Sequence, residues 1–283
     1  MRRFDFHRAR TLDDVLAFKA DHGAEGRLLA GGTDLIISLR TESPALPPVH
    51  VMDITAIDAL RGVSERGGRL RVGPLTTHTE LHENPRVRKR ALLLAQAAGE
   101  VGSPQIRNRG TIGGNLCNAS ACADTVPPLV ALDATLTLRS ARGTRTVPAA
   151  EAIVRPYRTV LEDDEVLTDI RFAPIERSAF VKLGRRKALS ISRMSLAVVL
   201  SSDMSDVRIA GGSVTPVPRR FPEAEKVLTG QAPSEALYRR AGETVAAEML
   251  QITGTRWSTP YKEPVVAALA RRALRRAWEG DAS

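Results

Sequence analysis

Two glycine pairs about eighty residues apart carry the strongest chemical signal in this chain: Ala30-Gly31-Gly32-Thr33-Asp34-Leu35 and Thr111-Ile112-Gly113-Gly114-Asn115. The second continues through Ser120 to Asp124-Thr125-Val126-Pro127. Each pair follows an apolar or β-prone stretch, so the backbone can turn with no Cβ in the way and aim successive N–H groups at a bound phosphate. After the first pair, Thr33 or Asp34 can cap a helix whose apolar Leu35 and Leu39 lie four apart, directing the positive end of a helix at the same place. The second stretch offers hydroxyls, amides and one carboxylate (Thr111, Asn115, Asn118, Ser120 and Asp124) for phosphate oxygens, ribose hydroxyls or the polar edge of a ring. One glycine pair is a common turn; two in this company point to a dinucleotide. The run from Val101 to Thr111 holds no obvious nucleophile or base, so the loop suits binding more than covalent catalysis.

The chain must be large enough to position such loops. Its 283 residues, 43% apolar and 26% charged, suffice for two ordinary soluble domains. No run of eighteen apolar residues occurs, and Arg2-Arg3 is followed by Asp5 and His7 instead of an apolar signal core, so a cytoplasmic protein is expected. Cys117 and Cys122 alone cannot build a disulfide framework or a four-cysteine cluster and read as reduced thiols. A net charge of +9 invites a nucleic-acid reading. The arginines are scattered, however, and aromatic residues are only 4%, too few for a stacking platform. A partner subunit with acidic patches fits that surface better. His78 and His82 lie four apart on an expected helix, but the glutamate between them is misplaced for a zinc protease and no third ligand is evident. They read as a polar helix face, and no metal ligand is assigned.

The pattern along the chain is α+β. Phe4 to His7 and Arg27 to Ala30 read as strands around a helix opened by the capping box Thr11-Leu12-Asp13-Asp14 and ending near Gly23. A proline-rich linker (Pro44, Pro47, Pro48) leads to a strand from His50 to Ile54. Leu60 to Val63 and Arg69 to Val72 read as strands flanking a Gly67-Gly68 turn, and a helix is expected from Pro85 to Ala98. Ala134 to Arg139 and Thr144 to Val147 form a hairpin around Ala141-Arg142-Gly143. Val166 to Phe172 is a further strand, and a boundary falls near residue 176. Beyond it the expectation is a three-stranded antiparallel sheet (Phe180 to Leu183, Ser195 to Ser201, Val207 to Gly212). Helices over Pro222 to Leu228, Ser234 to Gln251 and Pro260 to Trp278 would cover it.

With the order Ala-Gly-Gly-Thr-Asp-Leu, Thr-Ile-Gly-Gly-Asn, Asp-Thr-Val-Pro, the chain resembles the FAD-binding medium subunit of the molybdenum hydroxylases. That family includes the flavoproteins of xanthine dehydrogenases, aerobic carbon monoxide dehydrogenases and 4-hydroxybenzoyl-CoA reductases. The likeness extends nearly full length, to a C-terminal helix with Tyr261-Lys262, Arg271, Arg272, Arg275 and Arg276. The resemblance implies an FAD domain of the vanillyl-alcohol-oxidase/PCMH type at 1–175, with subdomains about 1–55 and 56–175, and a C-terminal α+β domain at 176–283. No Gly-x-Gly-x-x-Gly of a Rossmann fold is present. It further implies that Ala30, Gly31, Gly32, Thr33, Asp34 and Leu35, with Gly113 and Gly114, wrap the pyrophosphate, and that Thr111, Asn115 and Asp124 make polar FAD contacts. Val101 and Leu167 match apolar residues beside the isoalloxazine, and Lys182 matches a lysine near the ring or its electron acceptor.

A cation such as Lys182 or Arg185 would favour reduced, anionic flavin; the alternative for Gly184-Arg185-Arg186-Lys187 is a solvated basic loop. Flavin chemistry is the cofactor's, so no acid–base pair is required here. The resemblance places molybdopterin and two [2Fe-2S] clusters on a large and a small partner subunit, a heterotrimer doubled to a hexamer. NAD, oxygen or a quinone would be the final acceptor. The alternative is a free-standing FAD-dependent NADPH reductase of related fold. The chain departs from many relatives at Ser120-Ala121-Cys122-Ala123-Asp124, where alanine replaces a proline and is expected to loosen the loop. No cysteine-rich insert for an additional cluster follows Asn115.

Overall fold

The structure is a computed structural model describing residues 3–41, 50–186 and 188–280. The linker prolines Pro44, Pro47 and Pro48, together with Arg2 and Lys187, lie outside the described residues. The chain begins with strand β1 (Asp5–Arg8), helix α1 (Leu12–His22), β2 (Gly26–Leu29), α2 (Leu35–Arg40) and β3 (His50–Asp53). The expected β-α-β unit forms, but β3 inserts between the other two strands to give a parallel sheet in the order β1-β3-β2. The capping box is real: Thr11 Oγ1 accepts the Asp14 N–H at 3.2 Å and Asp14 Oδ2 accepts the Thr11 N–H at 2.9 Å. Val15, Leu16 and Phe18 of α1 pack on Met52 and Ile54 beneath. At α2, neither expected cap is made. Asp34 forms no capping bond, and the helix starts from the Gly32 carbonyl, which accepts the Ile36 N–H at 3.1 Å.

The next layer runs β4 (Val63–Arg66), β5 (Arg69–Val72), α3 (His78–Glu83), α4 (Pro85–Arg90), α5 (Leu92–Gly99), α6 (Pro104–Arg107), α7 (Ile112–Asn118) and α8 (Val126–Ala131). It continues with β6 (Thr135–Ser140), β7 (Gly143–Pro148), the short pair β8 (Ile153–Arg155) and β9 (Arg158–Thr159), and β10 (Val166–Phe172). Five of these strands form an antiparallel sheet, β4-β5-β10-β6-β7. The strand expected at Leu60 begins instead at Val63, behind a short 3-10 turn over Asp58–Leu60. The single helix expected from Pro85 to Ala98 is broken at Ala91, fully buried with φ −160°. The break frees groups that tertiary structure then uses. The Arg90 carbonyl accepts the Ile175 N–H at 2.7 Å, and the Leu93 N–H donates to Ser178 Oγ at 3.3 Å. Such bonds are invisible to periodicity.

The C-terminal third comprises β11 (Arg177–Leu183), β12 (Met194–Leu200), β13 (Val207–Gly212), β14 (Arg219–Arg220), α9 (Pro222–Leu228), α10 (Glu235–Thr253) and α11 (Thr259–Glu279). Its antiparallel sheet has four strands, not the expected three, because Arg219 and Arg220 pair with Gly211 and Ala210. Two residues behind Pro216 and Pro218 show no alternation to read, and the strand is held largely by side chains. Glu225 takes Arg220 Nε and Nη2 at 2.8 Å each and the Ile209 N–H at 2.8 Å.

Strand β12 is buried throughout because both faces are covered, which is why Leu-Ala-Val-Val-Leu reads as an unbroken apolar run. Leu196, Val198 and Leu200 face Val245, Met249 and Leu274 of α10 and α11. Ala197 and Val199, with Phe180 of β11, face the core shared with α5 and α8. Side chains alternate across a strand, so Lys182, two residues beyond Phe180, is carried to that inner side. Leu196→Ala, on the helix side and fully buried, is expected to cost about 3 kcal/mol of unfolding free energy in a denaturant titration, with the inner face left intact.

Candidate functional site

The two glycine loops meet backbone to backbone. A Cβ on Gly31 would fall 2.1 Å from the Arg109 carbonyl oxygen and 2.8 Å from Gly110 Cα, so only glycine lets the first loop lie against the entry to the second. Gly32 sits at φ +75° with Leu29 and Ile36 close by, a conformation glycine takes without strain. The second loop is fastened from the opposite side. Thr77 and Thr111 form an isolated antiparallel bridge, the Ile112 N–H donates to the Thr76 carbonyl at 3.0 Å, and the His78 N–H donates to the Gly110 carbonyl at 3.0 Å.

Gly113 and Gly114, expected to form an open turn, lie instead in the first turn of α7. Thr111 caps that helix, its Oγ1 accepting the Gly114 N–H at 3.1 Å, and the Gly113 N–H donates to the Pro74 carbonyl at 2.9 Å. Both amides therefore have partners within the chain. Asn115 Oδ1 accepts the Thr125 hydroxyl at 2.7 Å, so that amide orients the approach to Asp124. The substituted stretch before Asp124 is closed by Ser120, whose Oγ accepts the Cys122 N–H at 3.3 Å and whose carbonyl accepts the Ala123 N–H at 3.0 Å. A side-chain turn thus stands where proline was expected to be missed.

The alternation in β11 delivers Lys182 to this place. Its Nζ donates to Asp124 Oδ2 at 2.6 Å and to the Glu100 carbonyl at 2.8 Å, with both charged side chains almost sealed from solvent. Phe180, on the same face, donates its N–H to Gln96 Oε1 at 2.8 Å, fixing β11 against α5. The second oxygen of Asp124, Oδ1, is buried with no hydrogen-bond partner among the described residues. Burial lifts the Asp124 carboxyl to about 6, above its ordinary 3.8, although Lys182 pulls the other way.

Val101 is half-buried beside Glu100, its carbonyl accepting from Arg107 Nη1 at 3.1 Å. Leu167 lies at the bulge of β10 opposite Leu138, packed in the core. Arg185 and Arg186 rim an open cleft of about 360 Å³ that Lys182, Glu100, Leu189 and Ser190 also line. Ser190 closes this loop by accepting the Arg185 N–H at 2.8 Å. Thr33 donates its hydroxyl to Asp34 Oδ2 at 3.4 Å.

The two helical histidines do not converge. His82 Nδ1 faces the Ala95 carbonyl at 2.9 Å, while His78 is buried against Gly110 and pushed down to about 4 by burial and by Arg107. Sequence reading missed Glu100, Gln96 and Ser178, because their roles come from the fit of α5 onto β11; only Phe180 and Lys182 at i and i+2 hinted at a shared face.

Removing either member of the buried pair has unequal cost. Asp124→Ala strands a buried ammonium and is expected to destabilise the fold by about 3 kcal/mol, whereas Lys182→Met leaves a carboxyl that can take up a proton and costs less. In the ligand-free protein the Asp124 carboxyl carbon should titrate near pH 6 by NMR; a midpoint below pH 4.5 contradicts the burial described above.

Comparison with known proteins places this geometry. The FAD-binding domain of molybdopterin dehydrogenases matches residues 2–174, and the C-terminal domain of the carbon monoxide dehydrogenase flavoprotein matches residues 179–277. The chain is 32% identical to the carbon monoxide dehydrogenase medium chain of Hydrogenophaga pseudoflava, over 98% of this chain and 97% of that one. It is likewise 32% identical to the xanthine dehydrogenase FAD-binding subunit of Escherichia coli O157:H7, over 96% of each. The solved structure of carbon monoxide dehydrogenase from H. pseudoflava lacking the Mo-pyranopterin moiety superposes with a TM-score of 0.90 at 31% identity, covering 99% of this chain and 98% of that one. No helix among the described residues is long and apolar enough to cross a membrane. The glycine loops, the Asp124 site and the sheet that carries Lys182 are thus parts of one mixed helix-and-sheet architecture, and the chain belongs to the family of FAD-binding subunits of the molybdopterin dehydrogenases.

Proposed function

We propose that this chain is the flavin-carrying electron-transfer subunit of a multi-subunit molybdenum hydroxylase or dehydrogenase. The observation that carries the reading is the end-to-end match, over 98% of the chain, to a carbon monoxide dehydrogenase medium chain. Residues 1–175 then form a two-part PCMH-type flavin domain, about 1–55 and 56–175, and 176–283 the C-terminal domain. FAD, when bound, exchanges electrons between iron–sulfur donors and a final acceptor.

The residues fit that cofactor. The uncapped start of α2, behind a glycine that tolerates no Cβ, suits a diphosphate, and the buried unpartnered Oδ1 of Asp124 suits a sugar or ribityl hydroxyl. Ala30 to Leu35 would hold the pyrophosphate, with Thr111, Gly113, Gly114 and Asn115 building the wall on which it rests. Lys182 holds the Asp124 carboxylate and sets a positive charge beside the ring, between the apolar Val101 and Leu167. Molybdopterin and two [2Fe-2S] clusters would reside on a large and a small partner, in a heterotrimer doubled to a hexamer in the cytoplasm. The cleft at Arg185 would face the acceptor, whether NAD, oxygen or a quinone.

Co-expression with its genomic neighbours tests the assembly. The expected result is a stable yellow complex with an iron–sulfur protein and a molybdenum protein, and a lone NADPH-oxidising monomer would sink the proposal. Gly31→Val should release at least about 90% of the flavin, because the carbonyl it meets is backbone and cannot swing aside. A hydroxyl donated to Asp124 Oδ1 favours the ionised carboxylate. Flavin affinity should therefore rise as pH rises through 6 and fall below it, and this dependence should vanish in Asp124→Asn, as read by fluorescence titration.

A further inference from the structure

A second convergence of chemistry-bearing side chains lies away from the glycine loops. His7 of β1, His22 at the last residue of α1 and His50 at the first residue of β3 bring one ring nitrogen each to within 4.8 Å of the others. They are three of the five histidines in the chain. His7 Nε2 and His50 Nδ1 are 3.4 Å apart. Two nitrogens bound to one tetrahedral zinc at 2.0–2.1 Å stand about 3.3–3.4 Å apart, so this edge already has the ligand-to-ligand span. Asp5 Oδ2 is 3.5 Å from the same His50 nitrogen and is available as a fourth donor.

The scaffold explains the convergence. Residues Asp5 and Gly26 both pair with His50 in the parallel sheet, and α1 ends one short 3-10 turn (Gly23–Glu25) before β2, so all three histidines gather toward the N-terminal end of the sheet. Phe18 backs the cluster, 5.2 Å from the His7 ring and 4.7 Å from that of His22, while the His22 and His50 rings stack at 3.9 Å. All three histidines are half-buried, so the nitrogens are neither swept apart by solvent nor sealed from an entering ion. The first glycine loop leaves the opposite, C-terminal end of β2, about 10 Å away along a four-residue strand.

From this geometry we infer that His7, His22 and His50 form a binding site for one divalent transition-metal ion of the zinc class, with Asp5 or water completing the shell. Imidazole donors in a tetrahedral arrangement select zinc, copper or nickel over calcium and magnesium, which prefer oxygen. The ion would tie β1, α1 and β3 together from the end of the sheet farthest from the flavin loop. Its work is therefore a staple of the parallel sheet and not a part of electron transfer. The inference is independent of the proposed function.

Tag-free, metal-stripped full-length chain, titrated with zinc against a chromophoric chelator, tests it. One zinc per chain should bind and raise Tm by a few degrees. His22→Ala should lower zinc affinity about 100-fold or more, since loss of even an outer partner of a ligand costs 10- to 100-fold. It should keep the flavin content and circular dichroism of the wild type, which separates a lost ligand from a lost fold. His82→Ala, a control outside the cluster, should bind zinc as the wild type does. The inference is overturned if the stripped chain takes up no zinc in competition, if His22→Ala binds it as tightly as the wild type, or if His82→Ala loses it equally.

Discussion

A lysine and an aspartate 58 residues apart, each nearly sealed from solvent, hold the inner face of the molecule together. Neither charge is tolerable there alone, since burying an unpaired ion costs several kcal/mol even after relaxation. The pair therefore dictates that β11, the end of α5 and the approach to α8 come together in one arrangement, because Lys182 must reach Asp124 and the Glu100 carbonyl at once. The pair is nonetheless incompletely satisfied. Asp124 keeps one oxygen with no donor among the described residues, and burial holds its proton more tightly than water would. A polar group left short inside a protein is open to a further hydrogen-bond donor, and this one lies within residues 2–174, which match the FAD-binding domain.

The glycine loops obey a different constraint, that of closeness. Gly31 presses on the Arg109–Gly110 backbone, and the Thr76-Thr77 segment clamps the next residues from the other side. A loop leaving β2 and a loop joining α6 to α7 are thereby fixed with respect to each other by main chain alone. Main-chain contacts have no rotamers to lose, so the relative placement of the loops is set before any cofactor arrives.

Much of this was legible in the sequence, for identifiable reasons. The first glycine pair, the Thr11 capping box, the Gly67-Gly68 turn and the long C-terminal helices are local signals, and each appears where local chemistry asks for it, whereas the second pair is taken into the first turn of α7. Lys182 was legible only by family likeness, although the alternation in β11 supplies its physical reason. The misses are tertiary in origin. The helix break at Ala91 is stabilised by Ile175 and Ser178, far along the chain, and the fourth C-terminal strand by Glu225 bridging Arg220 and Ile209. The insertion of β3 between β1 and β2 brings His7 and His50 together, and no spacing rule joins positions 43 apart.

The edges of the C-terminal sheet reward a closer look. Strand β11 is terminal in its sheet, yet its Phe180 amide is taken by the Gln96 side chain and Lys182 fills its flank, while the opposite edge is only the two residues of β14. An open ribbon edge invites another copy to add a strand, and long, flat, unguarded ones seed aggregates. Here one border is plugged by a glutamine and the other is too brief to template anything. Neither border of this ribbon therefore offers a long run of free main-chain groups on which a second copy could add a strand.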